Sequence, residues 1–229
     1  MITLYQKSVF AAFEEENVPV IANTVNTMGV MGAGLALEFK LRFPRYFDNY
    51  SERCSRESPL PGSAWIFQGE SSPKIISLFV KEDWKRPSRL SWIRSSLKRA
   101  EEIITENNFE RVALPLAGAG KGGIDPRTSE DIIREIFDSS KTESFLCLDK
   151  IPSKIEESMM KQLMAMSEHE LKCLSLRPSI IEKLLGERDD VTRFREILSI
   201  RGLGIKTYSL LFNALISRDP GDKGQLNLF

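Results

Sequence analysis

Apolar and polar residues are arranged along the first two thirds of the chain as expected for a layered α/β fold. Short apolar runs, which predict strands, alternate with segments whose apolar residues recur every three or four positions, which predict helices. The predicted strands are residues 18–22, 64–67, 75–79, 112–116 and 145–148, and the predicted helices are residues 35–40, 90–104 and 129–137. Residues 23–26 are expected to continue the first strand as a loop, and Pro44 to end the first helix. This alternation predicts an α/β domain with a largely parallel sheet over residues 1–150.

The remaining residues follow a different pattern. No segment between residues 153 and 216 has the pattern of a strand, and the methionine-rich stretch 159–166 falls into helical stripes. Residues 151–218 are therefore expected to form a small all-helical domain. Residues 219–224 are polar and rich in proline and glycine, which predicts a flexible tail over residues 219–229.

Composition excludes several classes of protein. The 229 residues carry 32 Lys+Arg and 32 Asp+Glu, so any contact with nucleic acid must come from a local patch. No apolar run approaches the roughly 18–20 residues that span a bilayer, and the N-terminus lacks a signal-peptide pattern. We therefore expect a cytoplasmic protein without a membrane partner. One histidine and three widely spaced cysteines argue against a zinc site or a Ser-His-Asp triad, and no metal or cofactor is expected.

Two glycine-rich loops, residues 29–34 and 118–123, each follow a predicted strand and precede a predicted helix. In an open α/β sheet, ligands bind at the carboxyl ends of strands, and helix N-termini there favour anions. Glycine allows the backbone to approach a diphosphate closely. Together with Asn23 and Asn26, the two loops predict a pocket for a diphosphate and a ribose, although glycines of this kind also occur in ordinary turns. Their spacing matches neither a dinucleotide-binding fingerprint nor a P-loop.

Three separated segments resemble the macrodomain family. Residues 23–36 (NTVNTMGVMGAGLA) resemble the family's NTVN-x-x-GVMGKGIA segment. Phe79, Lys81, Trp84 and the tripeptide 88–90 resemble F-P-T-K-x-x-W…S-R-L, and residues 115–125 (PLAGAGKGGID) resemble P-P-L-G-C-G-N-G-G-L-D. Within the family, the likeness is to DarG-type DNA ADP-ribosyl glycohydrolases and to glycohydrolases that free acidic side chains. The resemblance covers residues 1–150 and implies a three-layer sandwich with a mixed, largely parallel sheet.

The resemblance also implies a binding site for ADP-ribose. Asn26 would hydrogen-bond the distal ribose, and Asn23 would support the loop. The diphosphate would be held by two sets of residues in the glycine loops. These are Gly29, Val30, Met31, Gly32 and Gly34 in the first loop, and Gly118, Ala119, Gly120, Lys121, Gly122 and Gly123 in the second.

Lys81 and Asp125 are the catalytic residues that the resemblance implies. An amine at Lys81 can attack C1″ of the ribose and so divide a glycosidic cleavage into two steps. Because the ordinary pKa of lysine is about 10.4, the pocket must lower it. Asp125 would be a general acid or base. From the residues alone, a surface lysine in a charged stretch is the favoured interpretation of Lys81, and the motif reverses that preference. Asp125 could equally begin the next helix.

The sequence departs from the family pattern at three positions. Ser8 stands where relatives have an aspartate that reads the adenine amine, Lys121 replaces an asparagine, and Pro126 replaces a tryptophan. The recognised base is therefore either adenine or that of a variant nucleotide. The added charge of Lys121 faces either a phosphate or solvent.

Two further features suggest contact with DNA. Residues 74–99 contain eight Lys/Arg against two acidic residues. If this stretch is exposed, Trp84 is a candidate for stacking on a base and Arg89 for binding a phosphate. The plainer interpretation is a solvated helix face. Residues 197–211 resemble a helix-hairpin-helix, in which Gly202, Gly204 and Lys206 would bind a DNA phosphate; the alternative is a simple connection within a helical bundle.

The last five residues match the Q-L-x-L-F peptide that binds the bacterial replication sliding clamp, with contacts predicted for Gln225, Leu226, Leu228 and Phe229. The leading hypothesis is a hydrolase that removes ADP-ribose from modified DNA, in DNA repair or as an antitoxin to a cognate ADP-ribosyltransferase toxin. A macrodomain reader that binds ADP-ribose or a related nucleotide without turnover is the main alternative. A clamp-associated adaptor is a third hypothesis.

Overall fold

The computed structural model describes residues 1–69 and 73–216. The chain divides into two compact units, Met1–Ile151 and Pro152–Phe229. Among the helices of the described residues, none is both long and apolar enough to cross a membrane.

A six-stranded mixed sheet forms the centre of the first unit. Its strands are β1 (Ile2–Tyr5), β2 (Val20–Asn26), β3 (Ala64–Phe67), β4 (Lys74–Lys81), β5 (Arg111–Pro115) and β6 (Glu143–Cys147). They lie in the order β1-β6-β5-β2-β4-β3, and all neighbours pair in parallel except β3, which runs antiparallel to β4 at the edge. The predicted α/β class with a largely parallel sheet is confirmed.

Five helices cover the two faces of this sheet. They are α1 (Val9–Glu16), α2 (Gly34–Arg42), α3 (Pro44–Glu57), α4 (Leu90–Glu106) and α5 (Pro126–Phe137). Side chains alternate along each strand, so Ile75 and Phe79 of β4 pack with α1, α2 and α3, whereas Ile76 and Leu78 pack with α4 and α5. The two apolar clusters give the three layers of the sandwich.

The sequence pattern did not predict α3. Pro44 ends α2 as expected, but it also occupies the first turn of α3, where its missing N–H costs nothing. The helix is strongly polar and buries only three residues, Tyr46, Tyr50 and Cys54. Those three residues recur every four positions, which is the one sign of a helical face in this stretch.

The second unit is entirely helical over the described residues 152–216. Its elements are α6 (Lys154–Ala165), α7 (Glu168–Cys173), α8 (Pro178–Glu187), α9 (Ile205–Ile216) and two 3₁₀ helices, Arg188–Asp190 and Phe194–Ser199. Phe194, Tyr208 and Phe212 form a buried aromatic cluster with ring centroids 5.3–6.1 Å apart. Arg193 donates to both carboxylate oxygens of Glu156 at 2.8 and 2.7 Å, which links α6 to the second 3₁₀ helix.

Candidate functional site

The carboxyl ends of β2, β4 and β5 lie side by side at the centre of the sheet, because β2 is between the other two strands. Asn23 and Asn26 belong to β2, so the loop predicted at residues 23–26 is wrong. The apolar run stops at Ala22 because the polar Asn23 follows it. The sequence pattern therefore placed the end of the strand four residues too early. The pairing of β2 with β4 becomes irregular at its last step, where Asn26 lies opposite Lys81. The site therefore begins with an amide and an amine on neighbouring strand ends.

The side chain of Asn26 organises the first glycine loop. Its Nδ2 donates to the carbonyl oxygen of Val30 at 2.6 Å, and its Oδ1 accepts from the N–H groups of Met28 at 3.0 Å and Val30 at 3.3 Å. The hydroxyl of Tyr50 donates to the carbonyl oxygen of Asn26. The resemblance implies that Asn26 contacts the ribose. That contact would use the second hydrogen of Nδ2, while the first hydrogen and Oδ1 keep their bonds to the loop.

Asn23 connects β2 to α3. Its side chain is fully buried, and its Nδ2 donates to the hydroxyl oxygen of Tyr46 at 3.1 Å. That hydroxyl also shares a 2.8 Å hydrogen bond with Ser77 on β4. Burial raises the pKa of Tyr46 and of Tyr50, so both hydroxyls stay protonated. The sequence analysis missed both tyrosines, although their four-residue spacing marks them as one face of a helix.

The predicted ligand residues of the first loop fall into two groups. Gly29 and Met31 are buried, and a Cβ at position 29 would lie 3.3 Å from the Cβ of Cys54 in α3. Gly29 also has a φ of +73°, which favours glycine. Packing therefore explains the glycine at position 29 and the apolar side chain at position 31 without a ligand. Val30 is 37% exposed, and Gly32 and Gly34 also reach the surface.

The second loop shows the same division. A Cβ at Gly122 would lie 2.2 Å from the carbonyl oxygen of Gly118 and 2.6 Å from the Oγ of Ser88, so no side chain fits there. Gly118 is likewise buried, and a Cβ on it would lie 2.6 Å from the side chain of Ile93. By contrast, Gly120 and Gly123 face open space on either side of the exposed Lys121, and Ala119 is half-buried.

Ser88 is a site residue that the sequence analysis did not single out. Its N–H donates to the carbonyl oxygen of Gly122 at 2.9 Å, which fastens the start of α4 to the second loop. Its Oγ is buried and has no hydrogen-bond partner among the described residues. A buried hydroxyl without a hydrogen-bond partner is uncommon. Ser88 therefore places an unused polar group beside the second glycine loop. Its place in the family-like S-R-L tripeptide was the available signal.

Lys81, the last residue of β4, is only 9% exposed. Its Nζ donates to the carbonyl oxygen of Lys121 in the second loop and lies 3.5 Å from the carbonyl oxygen of Trp84. Burial is the main cause that lowers the pKa of Lys81; the ammonium of Lys121 lowers it further, and the carboxylate of Asp83 opposes them. The amine is thus held at the loops rather than in bulk water.

Asp125 is an exposed residue that caps α5. Its Oδ1 accepts from the N–H groups of Arg127 at 3.0 Å and Thr128 at 3.1 Å. Pro126, which replaces the family's tryptophan, occupies the first turn of that helix. Ser8, at the position of the family's adenine-reading aspartate, caps α1 by accepting from the N–H of Ala11 at 3.2 Å. Both side chains therefore have capping functions in this structure.

Some cations of the basic stretch 74–99 form ion pairs, and others have none among the residues that the structure describes. On α4, Arg94 pairs with Glu135, and Arg99 pairs with Glu102 and Glu106, as a solvated helix face would. Trp84 is 50% exposed, and Arg89 is exposed with its guanidinium 4.5 Å from the ring centroid of Trp92. Arg89, at the start of α4, thus stacks on an aromatic ring, whereas Arg94 and Arg99 farther along the helix bind carboxylates.

The predicted hairpin of the second unit differs from a pair of α-helices. Its first arm is the 3₁₀ helix Phe194–Ser199, and its second arm is α9. Gly202 forms the turn with a φ of +97°, and Gly202, Gly204 and Lys206 are all exposed. Gln225, Leu226, Leu228 and Phe229 lie outside the described residues.

Comparison with known proteins gives the family. The Macro domain profile matches residues 22–133. The chain is 38% identical over 108 residues to the DNA ADP-ribosyl glycohydrolase of Mycobacterium tuberculosis, which is 46% of this chain and 31% of that protein. It is 28% identical over 123 residues, 44% of this chain and 31% of that protein, to a DNA ADP-ribosyl transferase-DNA ADP-ribosyl glycohydrolase fusion protein of Thermosipho africanus. The chain therefore spans about a third of the length of these curated relatives.

A solved structure matches a larger share of the chain. The macrodomain of Mycobacterium tuberculosis DarG superimposes with a TM-score of 0.60 at 31% sequence identity, and the match covers 64% of this chain and 97% of that domain. Since nearly all of that domain is matched at this identity, the chain belongs to the macrodomain family.

Proposed function

We propose that the protein is a hydrolase that releases ADP-ribose from ADP-ribosylated DNA. Relatives named DNA ADP-ribosyl glycohydrolase support the substrate class. One observation of the structure supports turnover: Lys81 is 9% exposed, its amine donates to the second glycine loop, and its pKa is lowered. A lysine that only bound an anionic phosphate would gain from keeping its charge, whereas a nucleophile needs the neutral amine.

The chemistry follows from the neutral amine. The lone pair of Lys81 Nζ forms a bond to C1″ of the distal ribose, and the glycosidic bond breaks with its electron pair on the leaving base, which takes up a proton. The C1″–O4″ bond of the ribose then opens, its oxygen takes the remaining proton from the nitrogen, and an imine forms between Lys81 and C1″. Water adds at C1″ of the imine, the C–N bond breaks with its electron pair and a proton on the amine, and Lys81 is regenerated as free ADP-ribose leaves. The exposed backbone at Gly32, Gly120 and Gly123 would approach the diphosphate, because no side chain stands there.

The decisive experiment is release of ADP-ribose from a modified single-stranded oligonucleotide by the wild-type protein, Lys81→Ala and Lys141→Ala. Lys141 is an exposed lysine before β6 and serves as the matched control. We expect Lys81→Ala to lose at least 100-fold in kcat and Lys141→Ala to keep wild-type activity. Reduction with borohydride during turnover should give a covalent ADP-ribose adduct on Lys81 by mass spectrometry. Full activity of Lys81→Ala would exclude the mechanism.

The same assay separates the hydrolase from a reader. If the wild-type protein binds free ADP-ribose in calorimetry but releases none from modified DNA or modified protein, the domain is a non-catalytic reader. Release from ADP-ribosylated protein alone would reassign the substrate. We expect release from DNA, because the relatives matched at 38% identity carry that activity in their name.

Three partner contacts complete the proposal. The hairpin at residues 200–206 would bind a DNA phosphate through exposed backbone N–H groups and Lys206, and Lys206→Glu should weaken DNA binding.

A relative whose name joins a transferase to a glycohydrolase supports a cognate ADP-ribosyltransferase toxin as a partner, which co-purification would test. Residues 225–229 would bind the replication clamp and place the enzyme in DNA repair; Leu228→Ala with Phe229→Ala should abolish capture by purified clamp.

A further inference from the structure

The segment between β4 and α4, residues 82–89, is hydrogen-bonded at both of its ends. Thr27, the residue directly after β2, donates through Oγ1 to the carbonyl oxygen of Glu82 at 2.9 Å. At the other end, the N–H of Ser88 donates to the carbonyl oxygen of Gly122 in the second loop at 2.9 Å. The Nζ of Lys81 lies 3.5 Å from the carbonyl oxygen of Trp84. The backbone of this segment therefore has a fixed position at the rim of the site.

Trp84 projects from the middle of the segment with half of its surface exposed. The ammonium of Lys85 lies 5.1 Å from the centroid of its ring. An indole is a large flat apolar surface, and exposing it to water is unfavourable unless a partner covers it. Nucleobases stack on such rings with little dependence on sequence. The ring thus offers a stacking surface next to the residue that we propose to be the nucleophile.

Three cations close in sequence to Trp84 reach the surface. Lys85, Arg86 and Arg89 are exposed, and none forms an ion pair in the part of the chain that the structure describes. Two carboxylates belong to the same segment: Glu82 is exposed, and Asp83 accepts from the N–H of Lys85 at 2.9 Å. The segment therefore has three cations against two anions, and Lys121 across the site adds a fourth cation.

Arg89 is already positioned for phosphate binding. Its guanidinium lies over the ring of Trp92 at 4.5 Å, which limits its orientations before any ligand arrives. A guanidinium stacked in this way keeps its N–H donors at the ring edge for phosphate oxygens. Together with Lys85 and Arg86, it gives a set of phosphate contacts beside a stacking ring.

We propose that Trp84, Lys85, Arg86 and Arg89 form a platform that binds single-stranded DNA flanking the modified nucleotide. This inference rests on the proposed hydrolase function and names the strand that presents the substrate. Trp84 stacks on a neighbouring base, and the three cations bind phosphates on either side of it. A base that carries ADP-ribose must leave the stack to reach the site, so an unpaired strand is the form that the platform accepts.

The first test compares two substrates that carry the same modification. One is an ADP-ribosylated single-stranded oligonucleotide, and the other is the ADP-ribosylated mononucleotide from its complete nuclease digestion. We expect Trp84→Ala to lower the ratio of kcat/KM for the oligonucleotide to that for the mononucleotide about tenfold, within the range of a lost base stack. Trp84→Phe should restore most of the ratio. Equal losses on both substrates would overturn the platform.

The second test is independent of turnover. Binding of a fluorescent, unmodified single-stranded oligonucleotide to the full chain is measured over a series of salt concentrations. The triple variant Lys85→Ala, Arg86→Ala, Arg89→Ala should bind more weakly and with a shallower salt dependence, whereas Arg99→Ala, at an ion-paired position, should match the wild type. Unchanged binding in both Trp84→Ala and the triple variant would overturn the inference.

The two proposals fail in different ways. If the wild-type protein binds the strand through Trp84 but releases no ADP-ribose, the hydrolase function is wrong and the platform stands as a nucleic-acid contact. If release occurs but neither the substrate ratio nor the salt dependence changes, the platform is wrong and the hydrolase stands. Competition by polyglutamate as strong as that by an oligonucleotide of equal charge would reassign the surface to an acidic protein.

Discussion

The Nζ of Lys81 donates to the carbonyl oxygen of Lys121, so the last residue of β4 is held by the loop that follows β5. The two lysines therefore interact in two ways. The backbone of Lys121 positions the amine, and the ammonium of Lys121 disfavours a second positive charge on it. A family position usually occupied by a neutral asparagine thus adjusts the charge state of the proposed nucleophile in this chain.

The pH profile of kcat/KM should respond to Lys121. Attack requires neutral Lys81, so the rate rises with pH until the pKa of Lys81 is passed. Because the charge of Lys121 lowers that pKa, Lys121→Met should raise it and move the acid limb to higher pH. Activity at neutral pH falls, while the carbonyl contact to Lys81 remains. The profile is measured with the modified oligonucleotide under single-turnover conditions.

Asp83 provides the opposite control. Its carboxylate raises the pKa of Lys81, so Asp83→Asn should move the acid limb to lower pH while keeping an oxygen acceptor for the N–H of Lys85. Shifts of the two variants in the same direction, or no shift in either, would show that Lys81 is not the titrating group.

The second glycine loop allows a matched pair of substitutions. Gly122→Ala places a Cβ 2.2 Å from the carbonyl oxygen of Gly118, so the loop must move, at a cost of about 3 kcal/mol in the free energy of unfolding. Gly120→Ala meets no atom within 4 Å and should leave stability unchanged. It should nevertheless weaken ADP-ribose binding, because its methyl group occupies space that we assign to the diphosphate. Urea unfolding and calorimetry separate the two effects; unchanged affinity in Gly120→Ala would remove this loop from the ligand site.

Asn26 should be important for stability before any ligand is bound. Asn26→Ala removes three hydrogen bonds to Met28 and Val30 and should lower the free energy of unfolding by about 2 kcal/mol. Asn49→Ala, at an exposed position of α3, is the control and should have almost no effect. Denaturant titration of the apo protein measures both. A neutral result for Asn26→Ala would mean that the amide is kept for the ligand alone.

The sequence predicted secondary-structure elements well where their apolar residues follow a regular pattern. Strands such as β3 (Ala64–Phe67) and the helix α4 were predicted well, because continuous apolar runs and regular apolar spacing record burial directly. The end of β2 was not, since Asn23 and Asn26 are polar yet buried: Asn23 donates to the distant Tyr46, and Asn26 bonds the loop that follows it.

The same limit applies to the site. Motifs predicted the two loops and Lys81, but they did not separate Gly122, which packing requires, from Gly120, which packing does not require. They also did not indicate that Arg94 and Arg99 are ion-paired whereas Arg89 has no ion pair within residues 1–69 and 73–216. Those distinctions arise only when distant segments meet in the fold.

Asp125 allows the last prediction, because its two sequence-based roles respond differently to substitution. As a helix cap it needs only a side-chain oxygen, so Asp125→Asn should retain the bonds to Arg127 and Thr128, while Asp125→Ala should cost about 1 kcal/mol in the free energy of unfolding. As a general acid or base it needs a titrating carboxyl group, so Asp125→Asn would lose about 100-fold or more in kcat.

The observed geometry favours the cap, since Oδ1 is engaged by two backbone N–H groups and the side chain is exposed. We therefore expect Asp125→Asn to keep activity within a few-fold of the wild type, and Asp125→Ala to lose stability rather than kcat at a temperature where it is folded. Measuring kcat and the unfolding midpoint on the same samples tests this. A large loss of kcat in a stable Asp125→Asn variant would instead assign the proton transfer to this carboxylate.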